Sequence, residues 1–166
     1  MDGWISSILI IQKGKNNYIA VGCWDGTVKI YSEYNLDREI PKGEYAHTFL
    51  STDDDGEFSF IGYKDGTVVF LNMPNEKSEN EENNIKKKIE TGVDINAILF
   101  ENKFFEIFIG TSKGLQIGKV KGEKKPVFED KSKACFSLCY EKSKSYLFAG
   151  FADGTIRVYK TSNTGV

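Results

Sequence analysis

This sequence of 166 residues is poor in the residue types that most enzymes need. It has one histidine, His47, three cysteines and three prolines, and its only arginines are Arg38 and Arg157. A lone imidazole cannot form a base-and-orienter pair. No nucleophile elbow, phosphate-cradling glycine loop or spaced metal-ligand set is present. Catalysis, a cofactor and a metal are therefore all expected to be absent. Cys23, Cys135 and Cys139 cannot all pair within the chain and lie in apolar, strand-like stretches. They are expected to be reduced, buried thiols of a cytoplasmic protein. Cys135 and Cys139 are four apart, which on a strand places them on one face, and nothing nearby completes a zinc site. No apolar run approaches the roughly 18 residues of a membrane helix. Met1-Asp2-Gly3-Trp4 lacks the basic-then-apolar order of a signal peptide. Helical periodicity is missing throughout. The net charge of −2 gives no overall field toward nucleic acid or anionic lipid.

What the chain does have is a phrase repeated four times. It reads VGCWDGTVKIY from Val21, IGYKDGTVVFL from Ile61, IGTSKGLQIGK from Ile109 and AGFADGTIRVY from Ala149. The aligned glycines, Gly22, Gly62, Gly110 and Gly150, are 40, 48 and 40 residues apart. That period is the length of a propeller blade. The pairs Asp25-Gly26, Asp65-Gly66 and Asp153-Gly154 accept the positive φ of a tight hairpin, and β-branched and aromatic residues flank them. Each phrase follows another strand candidate, WISSILII, HTFLS, INAILF or CFSLCY, across a polar turn. A fourth strand is possible after each phrase, as in YNLDREIPKG. The strands are apolar on both faces, as expected of sheets sandwiched between neighbours. The expected fold is all-β, a propeller of four blades at about 1–40, 41–90, 91–130 and 131–166.

These phrases resemble the WD-repeat family. Within it, GWISSILI, VGCWDGTVKIY, DINAILF and LFAGFADGTIRVYKTSNTG are similar, in that order, to the last four of seven blades in the receptor for activated C kinase, a ribosome-associated scaffold. The resemblance implies a non-catalytic, cytoplasmic scaffold on the small (40S) ribosomal subunit. Its implied contacts are ribosomal proteins, ribosomal RNA and signalling proteins such as kinases. Another WD-repeat adaptor, such as a G-protein β-like subunit, is the alternative. The name-giving Trp-Asp is replaced by Tyr31-Ser32, Leu71-Asn72, Lys119-Val120 and Tyr159-Lys160, and the preceding Gly-His is missing. The turn acids Asp25, Asp65 and Asp153 thus lack the family's histidine partner, and looser turns are expected. A third strand is the last one read in the sequence, so the fourth blade is expected to lack its outer strand. Four wedges of about 51° cover a little over half a seven-blade ring. Three arrangements stay open: one part of a larger propeller, pairing with a second chain, or closure alone.

Candidate contacts follow. Trp24, Tyr63 and Phe151 stand just before the turn, where aromatics make good anchors for partners; the alternative is packing against the next blade. From Lys113 to Lys144, nine lysines face four acids. Lys113, Lys119, Lys121, Lys124, Lys125, Lys131 and Lys133 are candidates for RNA phosphates, against the alternative of an ordinary lysine-rich surface. The polar insert 75–88 accounts for the spacing of 48 and is expected to be a mobile, solvated loop. TDDDGE, Thr52 to Glu57, lacks the ligand spacing of a calcium loop and is expected to be a hairpin turn.

Overall fold

The computed structural model describes residues 4–33, 35–40, 48–52, 56, 58–72, 85–102, 105–120 and 128–161. His47, most of the 75–88 insert and the acids of TDDDGE lie outside these. Every element among the described residues is a strand, and they form four antiparallel sheets in sequence order. Sheet 1 is β1 (Ile5–Lys13), β2 (Asn16–Cys23), β3 (Val28–Ser32) and β4 (Asn35–Ile40). Sheet 2 is β5 (Thr48–Thr52), β6 (Phe58–Tyr63), β7 (Thr67–Asn72) and β8 (Ile85–Glu90). Sheet 3 is β9 (Ile95–Glu101), β10 (Glu106–Thr111), β11 (Gly114–Lys119) and β12 (Phe128–Asp130). Sheet 4 has three strands, β13 (Cys135–Glu141), β14 (Tyr146–Phe151) and β15 (Ile156–Lys160).

The chain divides into two units, residues 1–92 with sheets 1 and 2, and residues 93–166 with sheets 3 and 4. In the first unit, Ile11, Ala20, Val28 and Ile30 of sheet 1 meet Ile61, Tyr63 and Leu71 of sheet 2. In the second, Phe108, Leu115 and Ile117 of sheet 3 meet Cys135, Leu147, Ala149 and Phe151 of sheet 4. The middle strand of sheet 3, β10, is buried along its whole length. The small residue on the second strand lets sheets approach: a Cβ added to Gly110 would stand 2.9 Å from the carbonyl oxygen of Cys135 in the next sheet.

Two expectations are corrected. The 75–88 insert is not all loop. Its last residues, from Ile85, begin β8 and pair with β7 (Leu71 with Ile85, Val69 with Lys88). A polar stretch next to an open edge gains backbone hydrogen bonds to β7, which outweigh its polarity. The second correction concerns Cys139, which is exposed, whereas Cys23 and Cys135 are buried. A β-bulge is the cause. Cys135 pairs with Phe151 but Ser137 pairs with Gly150, so Phe136 is extra and the alternation reverses beyond it. Burial pushes the Cys135 thiol up to about 11, so it is an inert core group. The same bulge recurs at the start of β1, between Ile5 and Ser7, and of β9, where Asn96 is the extra residue.

Candidate partner-docking surface

The Asp-Gly-Thr turns are satisfied from within. Asp25 Oδ1 accepts the Thr27 amide at 3.0 Å and its hydroxyl at 2.7 Å. Asp65 takes the same two bonds from Thr67, and Asp153 from Thr155. Gly26, Gly66 and Gly154 sit at φ of 88°, 91° and 80°, where glycine avoids a Cβ clash. The expectation of looser turns is thereby revised: threonine two residues on does what the absent histidine would do. The signal was in the sequence, because each Asp-Gly is followed by Thr. The third turn has no such acid. There Thr111 Oγ1 donates to the Gly114 carbonyl at 2.9 Å and accepts the Lys113 amide at 3.2 Å.

Of the three aromatics ahead of the turns, two are buried. Tyr63 lies in the first unit's core, and burial, with Asp65 nearby, raises its hydroxyl pKa. Phe151 lies in the second unit's core, its ring covered by the Arg157 guanidinium 4.2 Å from the centroid. Trp24 differs. It is 41% exposed and stacks at 4.9 Å against Trp4, which is 74% exposed. The Trp24 amide donates to the Trp4 carbonyl at 2.7 Å, one step beyond the last paired residues of the hairpin. Sequence reasoning missed Trp4. The same backbone bond joins Ser112 to Asp94 and Ala152 to Ala134, so of these three sheets the first alone carries aromatics at this paired position.

The second unit holds a polar cluster between sheets 3 and 4. Asp130 Oδ2 accepts from Arg157 at 2.7 Å and from the Tyr159 hydroxyl at 2.6 Å. Its Oδ1 accepts the Ser132 amide at 3.0 Å and hydroxyl at 2.6 Å. Arg157 also bonds Ser132 Oγ and reaches the turn acid Asp153 at 3.2 Å. Burial alone would raise the Asp130 pKa. The bonds from Ser132, Tyr159 and Arg157 outweigh it and hold the carboxyl far below the usual carboxylate range. Burial and the bond to Asp130 push Tyr159 the other way. Arg157, one of only two arginines, ties the last turn to the preceding sheet, a partner for Asp153 that sequence reasoning did not find.

The lysines scatter over this unit. Lys113 stands exposed at the third turn, and Lys133 is exposed just before β13. Lys131 is exposed and paired with Glu129 at 2.6 Å. Lys119 is half-buried beside Glu106. Lys121, Lys124 and Lys125 lie outside the described residues. Glu106 is buried opposite Glu101, and its Oε2 has no hydrogen-bond partner. Burial raises its pKa, Lys119 lowers it and Glu101 raises it further. Among the described residues no group of His, Cys, Asp and Glu has the arrangement to hold a metal. Nor is there among them a helix long and apolar enough to cross a membrane. The described surface carries the exposed Trp4–Trp24 pair and the exposed Lys113, Lys131 and Lys133.

Comparison with known proteins agrees with this architecture. The family described as WD domain, G-beta repeat matches residues 2–32 and 122–160. The chain is 27% identical over 173 residues to the small ribosomal subunit protein RACK1y of Oryza sativa subsp. japonica, covering 98% of this chain and 49% of that protein. It is 24% identical to cross-pathway control WD-repeat protein 2 of Flammulina velutipes, over 96% of this chain and 52% of that one. The chain spans about half the length of these curated relatives. A crystal structure of the computationally designed Ika4 protein is similar at a TM-score of 0.75 and 17% identity, over 96% of this chain and 92% of that one. A chain of the mitotic checkpoint complex is similar at 0.80 and 16% identity, over 99% of this chain and 49% of that one.

Proposed function

On the premise that this chain is a WD-repeat protein folded as a partial propeller, we propose that it is a non-catalytic scaffold of the small ribosomal subunit that links signalling proteins to translation. The observation that carries this reading is the similarity to a small ribosomal subunit protein along 98% of the chain. Physical features are consistent with it. Within each unit, sheets packed through a common core present several loop ends, which suits simultaneous contacts. Exposed Lys113, Lys131 and Lys133 suit phosphate contacts, which position a protein on RNA without reading its sequence. The Lys131–Glu129 pair is exposed, and such pairs are worth only about 0–1 kcal/mol, so a phosphate can displace the carboxylate. The Trp4–Trp24 pair is the anchor for a protein partner, such as a kinase.

Sedimentation with purified 40S subunits tests this. The chain is expected to co-sediment at low salt and to be released as salt rises, because lysine–phosphate contacts release counterions. Replacing Lys113, Lys131 and Lys133 by Ala is expected to weaken binding at every salt concentration and to reduce its salt dependence. No co-sedimentation at low salt would overturn the ribosomal reading and favour another WD-repeat adaptor, such as a G-protein β-like subunit.

A further inference from the structure

The face of sheet 3 that meets sheet 4 ends in charge. Pairing across β9, β10 and β11 lays that face out in rows. Ala97, Gly110 and Leu115 form the row beside the turn, and Leu99, Phe108 and Ile117 form the next. These pack on sheet 4. The row after them is Glu101, Glu106 and Lys119, which strand alternation places on the same face. Sheet 1 fills this row differently. Aligned on Gly22 and Gly110, the places of Glu101 and Glu106 hold Ile11, inside the core shared with sheet 2, and Tyr18, packed against it. Packing between sheets therefore does not call for two acids here.

Both acids are buried, Glu101 at 5% exposure and Glu106 at 2%. Residues directly opposite on neighbouring strands hold their Cβ atoms about 4.5–5.5 Å apart, within carboxyl reach, and like charges there repel. Two carboxylates so placed do not both stay ionised away from water. Little around them offsets the charge. Lys119 stands half-buried across β11 from Glu106. From sheet 4, β13 brings Tyr140, whose ring lies 5.5 Å from that of Phe108 and whose hydroxyl is already bonded to Thr161. On β14 the facing residues are Leu147 and Ala149. Arg157 and Tyr159 of β15 are held by Asp130 of β12, which pairs with Leu115 in the row beside the turn.

Glu106 Oε2 has no hydrogen-bond partner. Protonated, that oxygen becomes a donor, and the carboxylate opposite is an acceptor for it. We propose that Glu101 and Glu106 share one proton while sheets 3 and 4 are packed, and that its loss loosens this end of sheet 3, making the pair a pH-sensitive latch. The direction of titration agrees. Burial raises the Glu106 pKa most, Lys119 lowers it, and Glu101 raises it further. A raised carboxyl holds its proton in mild acid and gives it up as pH climbs through the raised value. The latch is thus closed in mild acid and loosened in base. It depends on the register and burial of sheet 3 alone, so failure of ribosome binding leaves it untouched.

Carbon-13 NMR of the glutamate carboxyls tests the sharing, the two resonances being assigned by their loss in Glu101→Gln and Glu106→Gln. In the wild type both are expected to move at common midpoints, one of them above the ordinary 4.5. In Glu101→Gln the Glu106 midpoint is expected to fall, yet to stay above 4.5 because burial persists. A midpoint that does not move would overturn the sharing and leave burial as its cause. Hydrogen exchange tests the latch. The Val120 amide donates to the Phe105 carbonyl at the acidic end of sheet 3, and the Ser112 amide donates to the Asp94 carbonyl at the other end. Corrected for the intrinsic rate, Val120 protection is expected to fall about tenfold or more as pH rises from about 4.5 to about 8, while that of Ser112 holds. Glu106→Gln keeps the side chain's shape without its charge, and is expected to hold Val120 protection constant over that range. Constant protection in the wild type, or an equal fall in Glu106→Gln, would overturn the latch.

Discussion

The two units share the Asp–Thr turn at three hairpins but differ in what is added to it or replaces it. In residues 1–92, Asp25 and Asp65 each bind the threonine two residues on, and those bonds stay within the turn. In residues 93–166 the third turn has no acid, and the fourth is tied through Arg157 to Asp130 on the preceding sheet. The comparison shows how a repeat tolerates loss of its signature residues. A local device closes one turn at a time. A cross-sheet carboxylate closes the turn and fastens neighbouring sheets together. The second unit is accordingly the one whose stability rests on single residues.

Breaking the third turn gives the largest expected effect. Gly114 sits at φ 136°, and a Cβ there would lie 1.8 Å from the Asp130 carbonyl oxygen. Gly114→Ala is expected to cost about 3 kcal/mol or more, because backbone must move. Gly154 has positive φ but open space around it, so Gly154→Ala is expected to cost only about 1 kcal/mol. Denaturant unfolding followed by circular dichroism measures both. Trp4 and Trp24, the two tryptophans of the chain, both lie in the first unit, so their fluorescence reports that unit separately.

Removing the cross-sheet acid comes next. Asp130→Ala deletes four accepted hydrogen bonds and leaves Arg157 and Tyr159 without this acceptor, for an expected loss of about 2 kcal/mol. Asp25→Ala in the first unit deletes two local bonds at an exposed turn, with an expected loss of about 1 kcal/mol. Equal losses would show that the cross-sheet link adds nothing to a local turn.

Acid sharpens the same contrast. The Asp130 carboxyl is depressed in the folded chain, so its contribution is complete above the ordinary value of 3.8 and is lost as pH falls below it. The stability difference between the wild type and Asp130→Ala is therefore expected to shrink between about pH 5 and pH 2. A difference that stays constant there would show that the carboxylate charge is not what holds the cluster.

The smallest expected change is a gain. Glu106 is buried, raised in pKa and unpartnered at Oε2. A raised carboxyl stabilises the fold at low pH and costs stability as pH rises above its ordinary value of 4.5. Glu106→Gln is expected to add about 1 kcal/mol at pH 7, with the gain fading below about pH 4.5. The pH dependence of unfolding in the two proteins checks it.

Much of the fold was legible in one dimension. The 40-residue period, the Asp-Gly turns and the doubly apolar strands are local patterns, and together they specify four antiparallel sheets of the propeller kind. The site was less legible. Trp24 stands exposed, but Tyr63 and Phe151 fall one place earlier in the repeat, where Cys23 stands, and are buried as it is. Grouping the three by nearness to the turn hid the strand alternation, which turns adjacent residues to opposite faces.

Sequence alone thus determined the strands, their turns and their order, because these depend on φ preferences and on alternation over a few residues. Tertiary structure decided what depends on contacts far apart in the chain. A one-residue bulge turned Cys139 outward, Arg157 found Asp130 across 27 positions, and Trp4 came to rest on Trp24. No local propensity encodes these, since each arises where two strands or two sheets meet.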